Sequence, residues 1–232
     1  MPDDLRMPAA SRDEPIRGEP MFNAPWTVLA LIAILLATHA ARLATGVDAE
    51  RFALTRNDLD AWRWPALISY MFVHAGWTHV AMNSAFCLAF GAPVARALGV
   101  GWRGALSFFG FFLVCGVLAA LSYAGLLSLT PDGGGADGWA LVGASGAASG
   151  LMGAAARFIQ GRGRLGPMTG RVVIGMTLAW IAINAVLGLS GLTPGTAGAP
   201  VAWQAHIFGF AAGLLLIGPT LWIAKGSRAD HE

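Results

Sequence analysis

The chain is organised around one stretch, Gly143-Ala144-Ser145-Gly146-Ala147-Ala148-Ser149-Gly150-Leu151-Met152-Gly153. It places the hydroxyl of Ser145 beside a glycine, at the head of an apolar segment that continues to Arg157. Two interpretations compete. A serine there can be a nucleophile, but small residues four apart, such as Gly146 and Gly150, also let a neighbouring membrane helix approach closely. The other polar residues of the chain decide between the two.

The composition is that of a polytopic membrane protein. Of the 232 residues, 56% are hydrophobic and 12% are charged, which is too apolar for an ordinary soluble domain. The net charge of +2 indicates no nucleic-acid partner, because the basic residues follow the membrane topology. Cys87 and Cys115 lie in apolar runs, where a thiol is usually a small packing residue. We therefore expect neither a disulfide nor a metal site.

Six apolar runs are each close to the roughly 20 residues that a bilayer core requires. They cover residues 25–43, 77–98, 102–127, 139–157, 172–189 and 201–224. The sequence therefore predicts an all-α bundle of six transmembrane helices over residues 26–225. Residues 1–25, rich in Pro, Arg, Asp and Glu, are predicted to be a disordered cytoplasmic tail. Residues 226–232 are predicted to be a short cytoplasmic tail.

The basic residues predict the orientation. Eleven of the 15 Lys and Arg residues lie on the side of the two termini, and four lie on the other side. The positive-inside rule therefore places both termini in the cytoplasm. Lys225 is the only lysine, and an arginine-dominated set fits a bacterial inner membrane. In the first loop, Trp62 and Trp64 flank Arg63, a pattern typical of a segment in the headgroup region.

Spans two, four and six begin on the outer side, and each carries polar residues at its head. His79 and Asn83 share a helix face because they are four residues apart. Ser145 follows Trp139 by six residues, which corresponds to a depth of roughly 9 Å at the α-helical rise. His206 lies near the head of span six. Polar side chains in hydrocarbon are costly unless they face the bundle or a water-filled cavity, so this common depth indicates a site.

These four side chains suit acyl transfer. The hydroxyl of Ser145 becomes a strong nucleophile when a base takes its proton, and an imidazole such as that of His206 is the usual base at neutral pH. The developing oxyanion needs preorganised donors, which His79, Asn83 and backbone N–H groups at a helix start can supply. Ser149, one turn deeper, is the competing nucleophile.

No predicted span contains Asp or Glu. An intramembrane aspartyl protease, a zinc protease and a transporter with a carboxylate proton relay all need such residues. The sequence therefore disfavours all three classes. It also offers no evident third residue to orient His206, so we expect a Ser-His dyad and not a triad.

Some of the polar residues also have a purely structural interpretation. We expect His39, near the end of span one, to hydrogen-bond a neighbouring carbonyl. His74 is either an interfacial residue or an auxiliary to the site. Asn83, taken alone, suits interhelical packing.

Together these residues resemble the rhomboid intramembrane serine proteases. The resemblance rests on Gly143-Ala144-Ser145-Gly146, His79 with Asn83, Ala205-His206 followed by Gly209 and Gly213, and Trp62-Arg63. It implies that Ser145 attacks a peptide bond and that His206 is the general base and then the general acid. It also implies that His79, Asn83 and the Ser145 backbone N–H hold the oxyanion.

The resemblance also implies the partners of the protein. Substrates would be single-pass membrane proteins, cut within the lipid bilayer near the outer face and beside small residues, without a cofactor. Gly146 and Gly150 on span four, with Gly209 and Gly213 on span six, would let these helices approach closely. One departure is Ser149, because many relatives carry there an aromatic ring that stacks on the catalytic imidazole.

Two other functions stay open. A catalytically silent relative would bind membrane proteins as a chaperone or trafficking factor, and the intact Ser145 and His206 argue against it. A six-span solute carrier is disfavoured by the carboxylate-free spans and by the lack of an evident internal repeat.

Overall fold

The computed structural model describes residues 24–130, 139–191 and 201–226. The long helices are α1 (Trp26–Thr45), α4 (Trp77–Leu98), α5 (Trp102–Ser128), α6 (Ser145–Gln160), α7 (Arg171–Ser190) and α8 (Trp203–Gly226). The first loop contains a 3-10 turn (Ala49–Arg51), β1 (Leu54–Thr55), α2 (Arg56–Asp60), α3 (Ala66–Ser69) and a second 3-10 turn (Tyr70–Phe72). β2 (Ala140–Leu141) precedes α6. The predicted tails lie almost wholly outside the described residues.

Within the described residues, five helices are long and apolar enough to cross a membrane, namely α1, α4, α5, α7 and α8. They match predicted spans one, two, three, five and six to within two residues at every end. The prediction of an all-α, polytopic membrane bundle is confirmed. Cys87 and Cys115 are free and fully buried, in α4 and α5.

The fourth predicted span differs from the prediction. α6 begins at Ser145 and has 16 residues, or about 24 Å of helix, which is shorter than a hydrocarbon core of about 30 Å. The prediction that this helix begins near Trp139 is wrong, so the helical rise from Trp139 no longer supports the depth inferred for Ser145. Leu141 pairs instead with Leu54 in an antiparallel β2–β1 contact. Gly143, at φ 104°, then separates this strand from the helix.

α6 is the central helix of the described part of the bundle. It packs against α4, α5 and α7, and most extensively against α8. A Cβ at Gly209 would overlap the carbonyl oxygen of Gly146, and a Cβ at Gly213 would overlap that of Gly150. The backbones of α6 and α8 are therefore in direct contact, as expected from the spacing of these four glycines.

The first loop is ordered around a buried carboxylate. Asp58, only 4% exposed, accepts hydrogen bonds from the backbone N–H and the hydroxyl of Thr55, at 2.9 and 2.6 Å. Its other oxygen pairs with Arg63 at 2.8 Å, while the neighbouring Trp62 is exposed. A buried charge that loses its partner is strongly destabilising, so the Trp62-Arg63 pair serves the fold of the loop through its arginine.

The contact between α6 and α8 predicts the effect of a single methyl group. Gly213→Ala should destabilise the protein by about 1–3 kcal/mol, the usual cost of overpacking, because the new Cβ meets a carbonyl that cannot move away. For a chain of this size the melting temperature should fall by roughly 2–12 °C. The measurement is thermal unfolding in detergent. Gly110→Ala in α5 is the matched control, because a Cβ there meets nothing within 4 Å. Equal melting temperatures for the two variants would contradict the prediction.

Candidate active site

Ser145 and His206 face each other across the contact between α6 and α8. The Oγ of Ser145 lies 2.8 Å from Nε2 of His206, and both residues are half-buried. This distance is that of a hydrogen bond, and it is the separation that a serine nucleophile and its base would need. The structure therefore brings together the two residues that the sequence proposed for these roles, at the point where α6 begins.

Ser149 is in a different environment. It is 1% exposed, and its hydroxyl donates to the backbone oxygen of Ser145 at 2.7 Å. Serine side chains inside helices commonly bond in this way to the carbonyl four residues earlier. The hydroxyl is engaged by its own helix, so the geometry favours Ser145 as the nucleophile.

His79 and Asn83 approach the backbone at Gly143, two residues before Ser145. A Cβ at Gly143 would lie 2.7 Å from Nε2 of His79 and 3.4 Å from Nδ2 of Asn83. The Nδ2 of Asn83 is buried and has no hydrogen-bond partner among the described residues. Nδ1 of His79 accepts a hydrogen bond of 3.4 Å from the N–H of Ala75, which leaves the hydrogen of a neutral ring on Nε2. Two side-chain donors therefore lie beside the segment that leads to Ser145.

The first loop holds the backbone turn before Ser145. The N–H of Gly143 donates to the carbonyl oxygen of Tyr70 at 2.8 Å. The hydroxyl of Tyr70 donates in turn to the carbonyl oxygen of Gly116 in α5, also at 2.8 Å. Burial raises the pKa of Tyr70 above its ordinary value, so this side chain stays protonated as a donor. The position of Ser145 thus depends on the loop as well as on the helices.

His74 lies behind His79, with its ring centroid 5.2 Å from that of His79 and 6.3 Å from that of His39. The two ring nitrogens of His39 have no hydrogen-bond partner among the described residues. The prediction that His39 bonds a carbonyl is therefore wrong, and its ring instead packs edge-on against Trp77 at 4.8 Å. His74 is buried and touches the proposed oxyanion donor, but not the nucleophile–base pair.

The environment of His74 keeps its ring neutral. Burial, reinforced by the positive potential of the nearby His79, His39 and Arg42, lowers its pKa to about 3. Despite this clustering, no group of three His, Cys, Asp or Glu side chains among the described residues is arranged to hold a metal ion.

Two residues of α7 at the site were missed by the sequence analysis. Oδ1 of Asn184 lies 2.7 Å from Nδ1 of His206, and Nε1 of Trp180 donates to the backbone oxygen of His206 at 3.4 Å. A third side chain therefore contacts the imidazole, where the sequence led us to expect a Ser-His dyad without one. That expectation considered carboxylates, whereas the residue is an amide. The available signal was that Asn184 is the only side-chain amide of span five and lies one turn after Trp180.

Comparison with known proteins identifies one family. Residues 60–223 match the family model described as the rhomboid domain. The matched segment is more than half of the chain and includes Ser145, His206, His79 and Asn83. No curated protein matches the chain.

The low pKa of His74 predicts an acid-sensitive fold. The unfolded chain takes up the proton near pH 6.5, the ordinary value, but the folded chain does so only near pH 3. The neutral ring therefore stabilises the fold fully above about pH 6.5, and this stability is lost as the pH falls toward 3. Melting temperatures in detergent, measured from pH 7 to pH 4, should fall more steeply for the wild type than for His74→Asn. Parallel curves would show that His74 does not carry this acid sensitivity.

Proposed function

This chain belongs to the rhomboid family, whose members are generally intramembrane serine proteases, and we propose that it is an active serine endopeptidase. The observation that carries the proposal is the hydrogen bond of 2.8 Å between Oγ of Ser145 and Nε2 of His206. A rhomboid domain without catalytic function has no need for this pair at hydrogen-bond distance.

Peptide-bond cleavage begins with attack by Ser145. As its Oγ bonds to the carbonyl carbon of the substrate, its proton passes to Nε2 of His206. The tetrahedral intermediate collapses when the carbon–nitrogen bond breaks and Nε2 returns the proton to the leaving amine. Water then repeats the sequence on the acyl-enzyme, with His206 again as base and then acid, and releases the free carboxyl end.

The oxyanion of each intermediate is held by donors on two helices. Nε2–H of His79 and Nδ2 of Asn83 lie beside Gly143. The backbone N–H groups of the first turn of α6, including that of Ser145, have no carbonyl partner within the helix. Donors fixed in place before the reaction do not need to reorganise as the charge develops, and removal of one typically costs 10²–10³-fold in rate (about 2.7–4 kcal/mol).

The substrates that suit this site are single-pass membrane proteins. Ser145 lies at the head of a helix surrounded by membrane-crossing helices, so a scissile bond must reach it within the bilayer near one face. In an intact helix the scissile carbonyl is already bonded to the N–H four residues later. A substrate segment that unwinds easily beside small residues meets this requirement. The distribution of basic residues supports a site at the outer face, and their arginine bias fits a bacterial inner membrane.

Labelling with a fluorophosphonate probe tests the function directly. We expect the purified protein in detergent to be labelled, and labelling to be lost in Ser145→Ala and reduced at least a hundredfold in His206→Ala. Ser149→Ala should be labelled like the wild type, because the hydroxyl of Ser149 bonds its own helix. This variant is the matched control, since it removes a serine hydroxyl one turn away on the same helix.

Two outcomes would count against the proposal. If the folded wild type is not labelled, the alternative of a silent rhomboid-like chaperone or trafficking factor becomes the better account. If labelling survives Ser145→Ala but not Ser149→Ala, the nucleophile is the deeper serine.

A further inference from the structure

The interaction at Nδ1 of His206 points to a role for α7 in catalysis. We propose that Asn184 is a positioning residue that holds His206 in the tautomer with its Nε2 lone pair facing Ser145. The proposal rests on the proposed protease function for its purpose, but its geometry stands independently. Asn184 touches neither the nucleophile nor the peptide bond in this scheme, and it acts through the imidazole.

The orientation of the Asn184 amide is fixed by its second hydrogen bond. Nδ2 lies 2.9 Å from the carbonyl oxygen of Trp180, and a carbonyl oxygen only accepts. The amino group must therefore face Trp180, which turns Oδ1 toward His206. Because the two ends of an amide are assigned from their partners, this backbone contact makes the assignment unambiguous.

The amide oxygen in turn selects the tautomer of the imidazole. Oδ1 of Asn184 accepts at 2.7 Å from Nδ1 of His206, so the hydrogen of the neutral ring lies on Nδ1. Nε2 is then unprotonated and lies 2.8 Å from Oγ of Ser145, ready to accept its proton. The opposite tautomer would leave two acceptors facing each other at 2.7 Å and would place a hydrogen where the base must act.

α7 presents these groups on one face. Its buried residues are Val173, Trp180 and Asn184, and the last two are one turn apart and therefore adjacent on the helix surface. Asn184 is only 1% exposed, and both ends of its amide have partners. Trp180 holds the backbone of His206 through its indole N–H at 3.4 Å, while Asn184 holds the ring. Two residues of α7 therefore hold His206, at a site where Ser149 has no aromatic ring to stack on the imidazole.

A neutral amide suits this position in a membrane. When Nε2 takes the proton of Ser145, the ring becomes an imidazolium whose Nδ1–H still donates to Oδ1 of Asn184. The negative end of the amide dipole stabilises that charge for the lifetime of the intermediate, and Nε2 then passes the proton to the leaving amine. An aspartate would bind the imidazolium more strongly, but it would have to be kept ionised in the bundle throughout the resting state. An Asn in the third position also serves the Cys-His-Asn sites of papain-like proteases.

The test compares Asn184→Leu, which keeps the approximate size but removes the acceptor, with Thr177→Val. Thr177 is the matched control because its hydroxyl donates to the Val173 carbonyl oxygen at 2.8 Å on the same helix, away from His206. At saturating fluorophosphonate, we expect the labelling rate constant of Asn184→Leu to fall by about 10–100-fold, part of the 10²–10⁴ that general-base catalysis contributes. The half-saturating probe concentration should stay unchanged, and Thr177→Val should label like the wild type.

A second measurement reads the tautomer without any activity. In ¹⁵N spectra of histidine-labelled protein, the His206 signals should report hydrogen on Nδ1 in the wild type and a mixture of tautomers in Asn184→Leu. The proposal is overturned if a folded Asn184→Leu labels within twofold of the wild type with unchanged His206 signals, or if Thr177→Val loses as much. If the wild type is not labelled at all, the protease function fails, and the ¹⁵N signals alone decide the role of Asn184.

Discussion

Backbone contact between α6 and α8 is the constraint on which the site depends. Gly209 and Gly213 of α8 lie so close to Gly146 and Gly150 of α6 that a Cβ on either α8 glycine would overlap a carbonyl oxygen of α6. Inside a bilayer the hydrophobic effect does not drive helices together, so such close packing is a main source of helix association. Here it also has a chemical result, because the short side chain of Ser145 reaches the ring of His206 only when the two backbones are this close.

The site around this contact is assembled from neutral polar groups. The described carboxylates all lie in the first loop, where Asp58 and Arg63 neutralise each other. The polar side chains beside Ser145 and Gly143 are the imidazoles of His206 and His79 and the amide of Asn83. Buried charge is costly in a membrane, whereas neutral donors and acceptors with fixed partners are not. In this account the reaction itself creates two charges beside Ser145, an imidazolium and an oxyanion. The first loop, which carries the described carboxylates, contributes by bracing Gly143 through Tyr70.

Sequence patterns predicted much of this architecture, and the failures have physical causes. Five helices followed from apolar length, and the approach of α6 to α8 followed from glycine spacing. The predicted start of α6 was wrong because Ala140 and Leu141 are as apolar in a strand as in a helix. A hydropathy pattern also carries no information about the backbone angle of Gly143. Asn184 was missed because an amide on a mostly lipid-facing helix is indistinguishable in sequence from a packing residue, and only the position of His206 reveals its purpose.

The most direct test of the central claim is cleavage in a bilayer. The protein is reconstituted into liposomes with a tagged single-pass membrane protein whose transmembrane segment contains Gly, Ala and Pro near its outer end, and the products are mapped by mass spectrometry. We predict one predominant cut beside a small residue near that end, absent with Ser145→Ala. Cleavage that persists in Ser145→Ala, or a folded and probe-reactive protein that leaves a series of such segments intact, would contradict the account.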